Sequence, residues 1–171
     1  MAQERYTRTN QKLFFAGLAL ESMARAEQSQ ALNAQGLIQA ERESALFHLY
    51  GALLGLCHEI AGFYRLPVAA TVEQALAEEA LNSIAIPEVG EMLELVSQRE
   101  TWLAQLLAAY ADLFRPPVAK KTVKTDVTQP LIQAVSLDEP EPVALSRDAL
   151  QAWRQDLKDL VRRFRDALSE C

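Results

Sequence analysis

The stretch AQGLIQAERESALFHLYGALLGLCHEIAGFYR, residues 34–65, decides the fold. Its apolar side chains recur at intervals of three and four residues, which is the repeat of an amphipathic helix. Asn33 is a candidate N-cap. Leu66-Pro67 ends the helix, because a proline disfavours helical backbone at the residue before it. At 1.5 Å per residue this helix would be roughly 45–50 Å long. A helix of that length needs a long partner to bury its apolar face.

A second long helix precedes this one. Residues 5–32 repeat apolar side chains at the same intervals, and the short break at Asn33 predicts an antiparallel hairpin of the two helices. Thr71 can cap a short third helix. Pro87 can begin a fourth helix, and a heptad-like apolar row predicts that it runs unbroken to Phe114.

The chain changes character at Pro116. Five of its seven prolines fall in residues 116–144, which predicts an extended linker, and Ser146 can cap a final amphipathic helix. The sequence therefore predicts an all-α fold, a bundle of about five helices led by an antiparallel pair of long helices. Its parts are a helical bundle at 1–115, a proline-rich linker at 116–145 and a C-terminal helix at 146–171. That last helix packs on the bundle or on a second copy.

Composition and charge limit the classes of function. The net charge of −6 argues against a general nucleic-acid binder, which normally carries a basic surface. Two cysteines, Cys57 and Cys171, make no disulfide framework and fit a reducing compartment. The apolar run at 13–20 follows three basic residues, but the helical pattern continues past it, so we expect a helix and not a signal peptide. No apolar run approaches the ~20 residues that cross a bilayer. We expect a cytoplasmic protein without a membrane span.

Small residues and both histidines share one side of the 34–65 helix. Each glycine costs a helix roughly 1 kcal/mol relative to alanine, so several glycines in one helix need a reason. The favoured reason is the close approach of a neighbouring helix. The alternative is a groove that admits a small ligand between helices. The lining of that groove would be Ser44, His48, Gly51, Gly55, His58 and Gly62.

Motifs for metal or covalent chemistry are missing from the sequence. His48 and His58 are ten residues apart, about 15 Å along a helix, and cannot share one metal ion. There is no Gly-rich phosphate loop, no G-x-S-x-G and no C-x-x-C motif. Cys57 lies on the main apolar face, which predicts a buried, inert thiol. We therefore predict no metal and no cofactor, and a non-enzymatic protein is favoured.

One catalytic pattern is present. Arg42 and His48 form R-x-x-x-x-x-H inside a helical bundle. The pattern resembles the HEPN superfamily, whose R-x(4–6)-H motif makes a metal-independent ribonuclease site in many members. The resemblance implies that His48 is a general acid or base and that Arg42 holds the phosphate. On a regular helix the two residues lie about 120° apart, so such a site requires a helix irregularity or a partner chain.

The final helix carries a single apolar stripe, which is the candidate interaction surface. Its centre is formed by Trp153, Leu157, Leu160 and Phe164. A stripe of this kind is buried on its own bundle or on a second copy in a homodimer. Acidic residues interleave with the arginines of the same helix, which predicts a solvated, salt-bridged face and makes nucleic acid an unlikely partner.

Three segments carry a wider resemblance: YTRTNQKLFFAGLALESMARAE (6–27), NAQGLIQAERESALFHLYGALLGLCHEIAGFYRLP (33–67) and AWRQDLKDLVRRFRDAL (152–168). They resemble a small bacterial family known only as a domain of unknown function. The resemblance implies a cytosolic bacterial protein with a helical fold, and it implies no activity. The leading hypothesis is a scaffold or adaptor that binds another protein or itself. The alternatives are a HEPN-like RNA-binding protein or ribonuclease, and a small-ligand binder at the glycine strip.

Overall fold

The computed structural model describes residues 2–81, 86–116 and 145–169. These ranges contain six α-helices and no strand, so the prediction of an all-α bundle is confirmed. The helices are α1 (Ala2–Glu27), α2 (Ala34–Tyr64), α3 (Val72–Leu81), α4 (Pro87–Ser97), α5 (Trp102–Asp112) and α6 (Arg147–Ser169). Most of the predicted linker at 116–145 lies outside the described residues, as does Cys171.

The two long helices form the predicted antiparallel hairpin. Thr9 near the start of α1 contacts Glu59 near the end of α2, and Ser22 contacts Glu41 closer to the connection. The helix α1 ends at Glu27, five residues before the predicted end, and Leu32 in the connection is fully exposed. Asn33 is the N-cap residue of α2, as predicted, but its side chain makes no capping hydrogen bond.

The end of α2 has an unusual backbone conformation. Arg65 has φ 58° and ψ 38°, the left-handed region that commonly ends a helix and that glycine usually occupies. The backbone N–H groups of Arg65 and Leu66 both donate to the carbonyl of Ala61, which satisfies an acceptor in the last turn. Pro67 follows, and α3 then begins with Thr71 as its cap, accepting from the N–H of Gln74 at 3.1 Å.

The predicted fourth helix is two helices. Gln98 is extended, with φ −99° and ψ 108°, and it separates α4 from α5. Thr101 then caps α5 by accepting from the N–H of Ala104 at 3.3 Å. Glu100, the one acid in the predicted apolar row, lies in this turn and is exposed. The prediction of a single helix was wrong because the apolar spacing continues through a turn that brings both halves onto the same core.

The C-terminal helix packs on its own bundle, against α1, α2 and α5. Ser146 caps it as predicted, accepting from the N–H of Ala149 at 3.1 Å. It runs antiparallel to α1, because Arg147 pairs with Glu27 at one end and Arg165 bonds Asn10 at the other. Its apolar stripe joins the side chains of α1 and α2 in one continuous core.

The helix α2 has the length and composition of a membrane-spanning segment. It contains an 18-residue window with a mean hydropathy of 1.3. In this structure 61% of that window is buried inside the bundle, and a core helix of a globular protein passes the same test.

Candidate functional site

Gly51 and Gly55 of α2 lie against α1. A Cβ added to Gly55 would sit 2.6 Å from Thr9 Oγ1 and 3.3 Å from the Thr9 Cα, closer than real Cβ contacts allow. A Cβ added to Gly51 would sit 3.2 Å from Cδ of Lys12. At these two glycines α1 fills the space, whereas Ser44 and His48 of the predicted groove line an open depression. Gly62 is half-buried nearer the end of α2.

The two histidines lie in different environments. The His48 ring contacts Phe15 edge to face, with centroids 5.3 Å apart, and His48 and Ser44 line a shallow depression with Ser22 and Glu41. Burial and then the nearby Lys12 charge lower the pKa of His48, so its ring is neutral at pH 7. His58 instead donates from Nε2 to the carbonyl of Ala69 at 2.8 Å. The structure thus places the histidines apart, His48 against α1 and His58 against the connection between α2 and α3.

Arg42 and His48 do not form one site. Arg42 donates from Nε to the carbonyl of Leu145 at 2.8 Å and also bonds Gln39. Its guanidinium therefore holds the start of α6, while the His48 ring packs on Phe15 of α1. The depression beside His48 is lined by residues of α1 and α2 that do not include Arg42. The convergence that the HEPN resemblance requires is not found.

Cys57 is buried and carries no accessible thiol. Burial raises the pKa of Cys57 to about 12, which keeps the thiol protonated at neutral pH. It lines an apolar cavity of about 30 Å³ with His58 and Met92. That volume has room for a water molecule and not for a metabolite. No cluster of three potential metal ligands occurs among the described residues.

The predicted interaction stripe of α6 is part of the core. Its four residues are all buried against the bundle: Trp153, Leu157, Leu160 and Phe164. A partner could reach them only if α6 left α1, α2 and α5. Any interaction made by α6 in place must use its other side.

That other side forms a groove with α1. The groove has a volume of about 380 Å³ and is open to solvent. Its lining consists of Asn10, Leu13, Phe14, Arg154, Lys158, Val161, Arg162, Arg165 and Asp166. We call this space the α1–α6 groove. A second depression of about 290 Å³ continues it past Arg154 toward Gly17 and Arg147.

A buried ion pair fixes one end of the α1–α6 groove. Glu59 of α2 is only 4% exposed. Arg165 donates to both of its carboxylate oxygens, from Nε and Nη2, each at 2.8 Å. The Thr9 hydroxyl donates to the same carboxylate, and the Arg165 guanidinium lies 4.5 Å from the centre of the Tyr6 ring. Since the carboxylate of Glu59 already neutralises Arg165, this end is structural.

Arg154 crosses the middle of the groove. It donates from Nε to the carbonyl of Leu13 at 2.9 Å. Gly17 makes room for it, because a Cβ at Gly17 would lie 2.5 Å from Arg154 Nη2. A carbonyl bears no formal charge, so the positive charge of Arg154 is not compensated by this bond.

Lys158 and Arg162 follow Arg154 at four-residue intervals along α6. Lys158 makes no ion pair within the described residues, and Arg162 pairs with Asp159 in solvent at 3.1 Å. An exposed ion pair of this kind contributes little to stability, and an incoming anion can take the place of Asp159 beside Arg162. Arg154 and Lys158 therefore give the groove two uncompensated positive charges beside Phe14, which is 58% exposed.

A helical wheel of α6 carries the signal that the sequence prediction missed. At 100° per residue, five cations fall within an arc of about 80° and the four acids fall within a separate arc of similar width. The cations are Arg147, Arg154, Lys158, Arg162 and Arg165; the acids are Asp148, Asp156, Asp159 and Asp166. Arg163 lies among the acids and bonds Glu91 of α4 at 2.6 Å. The charges alternate along the sequence but are segregated around the helix.

A protein-family model described as a family of unknown function, DUF6586, matches residues 1–171. The chain belongs to this family. No curated protein matches the chain, and no solved structure matches it. Family membership confirms the resemblance found in the sequence and brings no activity with it.

Proposed function

We propose that this member of the family is a non-enzymatic, cytoplasmic binding protein that holds a segment of a protein partner in the α1–α6 groove. One observation carries the proposal: Arg154 and Lys158, without a carboxylate partner among the described residues, face an open groove beside the exposed ring of Phe14. Unpaired cations attract an acidic segment, and an exposed aromatic ring gives it an apolar contact.

Three other surfaces support this choice because they are occupied. The apolar stripe of α6 lies in the core, Gly51 and Gly55 of α2 lie against α1, and Arg42 holds the start of α6. The cytoplasmic location is supported by the free, buried thiol of Cys57, which fits a reducing compartment. Association with a second copy stays a prediction.

Site-specific photo-crosslinking tests the proposed function. A benzophenone amino acid replaces Phe14 in the full chain, which is irradiated in lysate of its native cells and analysed by mass spectrometry. We expect a defined protein adduct that Lys158→Glu removes. Arg99→Glu, the same charge reversal in the α4–α5 turn, should leave the adduct unchanged, because Arg99 is exposed and lies off the groove.

A second crosslinker position controls for unspecific capture. Val68, in the connection between α2 and α3, is 70% exposed and lies outside the groove lining. The proposal is overturned if position 14 gives no protein adduct, if position 68 gives the same adduct, or if Lys158→Glu leaves it intact.

A further inference from the structure

The two walls of the α1–α6 groove differ in chemistry. On the α6 side, Arg154, Lys158 and Arg162 follow one another every four residues, a basic row about 12 Å long. On the α1 side, Leu13 is buried and Phe14 exposed, and Asn10 at the end of the wall is bonded to Arg165; Val161 lies buried between the walls. A ligand that fits must present acids to one wall and apolar side chains to the other.

The spacing of the basic row matches a helix. Carboxylates at positions i, i+4 and i+8 of an α-helix also lie along one line with a rise of about 6 Å per step. A helix lying along α6 can therefore meet all three cations at once. Its neighbouring face, at i+3 and i+7, would then lie on Phe14 and Val161, which is the way amphipathic helices bind in grooves.

Acidic residues in and near the groove argue against nucleic acid. Asp166 lines the groove itself, and Glu21 lines its continuation past Arg154. Both would repel a phosphate backbone, which needs a continuous basic surface. A peptide helix carries its acids at discrete positions and can avoid these two residues.

We propose that the occupant of the α1–α6 groove is an acidic amphipathic helix of the partner, with glutamates or aspartates against Arg154, Lys158 and Arg162 and an apolar residue against Phe14. This inference rests on the proposed function and names the chemistry of the partner segment. In the sequence of the partner segment we therefore expect acidic residues every four positions beside an apolar stripe.

Fluorescence anisotropy with a designed peptide tests the inference. The probe is a labelled peptide of about 18 residues with glutamates on one helical face and leucines on the adjacent face. A peptide of the same composition with its order scrambled, and a single-stranded RNA of about 20 nucleotides, are the comparison ligands. We expect the amphipathic peptide to bind at least about tenfold tighter than either, with an affinity that falls as salt rises.

Variants of the full chain locate the binding. Lys158→Glu with Arg162→Glu should weaken the amphipathic peptide roughly tenfold or more, and Phe14→Ser should weaken it several-fold. Arg99→Glu should bind as the unaltered chain does, and circular dichroism should show unchanged helix content for all three. A peptide with lysines in place of the central glutamates should bind the doubly reversed variant better than the unaltered chain.

The outcomes separate this inference from the proposed function. Equal binding of the scrambled peptide, tighter binding of the RNA, or indifference to the double charge reversal would each overturn the acidic helix. A position-14 crosslink that maps to a partner segment lacking the acidic repeat would do the same while leaving the proposed function in place. The absence of any protein crosslink removes the proposed function itself.

Discussion

Helix α1 contacts its two neighbours through different chemistry. Against α2 it packs closely at two glycines, with the backbone and hydroxyl of Thr9 on Gly55 and the stem of Lys12 on Gly51. Against α6 it is bridged by long cationic side chains, Arg154 to the carbonyl of Leu13 and Arg165 to Asn10. The first contact leaves no room at the two glycines, whereas the second lies beside a groove of about 380 Å³.

The difference shows where this fold can bind something. Small residues let two helices approach closely. A closely packed contact contributes to stability, but it leaves no space for a ligand. Long cations span a wider contact and keep their charged ends near water. At Gly51 and Gly55 the α1–α2 contact is therefore filled, whereas the α1–α6 contact lies beside an open groove lined by cations.

The largest expected effect tests the structural end of the α1–α6 contact. Arg165→Met leaves Glu59 buried without its cation, and we expect a loss of about 3 kcal/mol in the free energy of unfolding. Urea unfolding followed by circular dichroism measures it. Replacing both residues by methionine should recover most of that loss, because no uncompensated charge remains. A single variant as stable as the unaltered chain would show that the ion pair does not secure α6.

The next effect tests the filled contact. Gly55→Ala places a Cβ against Thr9, whose hydroxyl is held by Glu59, and we expect a loss of about 2 kcal/mol in unfolding free energy. Gly36→Ala is the matched control in the same helix, with nothing within 4 Å of its added Cβ. It should stabilise the protein by about 0.5–1 kcal/mol through helix propensity alone. Equal effects of the two changes would mean that α1 does not pack tightly at Gly55.

The fold was predictable where the sequence pattern is regular. The repeat of leucines in α2 and the caps Thr71 and Ser146 fix helices that the structure confirms. The break between α4 and α5 was missed because it rests on local hydrogen bonds of Thr101 and not on the apolar spacing. The position of the N-cap at Asn33 was predicted, but the absence of its side-chain bond was not, since backbone bonds alone start α2 there.

The site was less predictable than the fold. A helix contact was favoured at the glycines of α2, and α1 does lie against Gly51 and Gly55, but the sequence cannot show that Thr9 is what meets Gly55. The pairing of Glu59 with Arg165 joins residues 106 positions apart, so no local pattern reports it. The segregation of charge on α6 was available from a helical wheel, yet only the packed structure shows that Arg154 and Lys158 face a groove.

A smaller effect concerns pH and the α1–α2 contact. The pKa of His48 is lowered in the folded chain, first by burial and then by Lys12, while the unfolded chain keeps a value near 6.5. Below about pH 6.5 the unfolded state therefore binds more protons, and stability falls as pH is lowered. His48→Phe should reduce this fall between pH 6.5 and 5 in urea unfolding. The same slope in both proteins would contradict a neutral, desolvated His48.

The variant with the smallest expected effect on stability distinguishes most directly between the two contacts of α1. Gly17→Ala, like Gly55→Ala, adds one methyl group to a helical glycine, but the atoms in its way are the mobile end of Arg154. Losing the bond from Arg154 to Leu13 costs about 1 kcal/mol of stability. The higher helix propensity of alanine offsets this cost, so the free energy of unfolding should change by less than about 0.5 kcal/mol. Arg154 must still leave its position across the groove, so the affinity for the acidic peptide should change while stability does not. A loss as large as that of Gly55→Ala would show that α6 packs on α1 as tightly as α2 does, and the distinction between a filled contact and an open one would then be wrong.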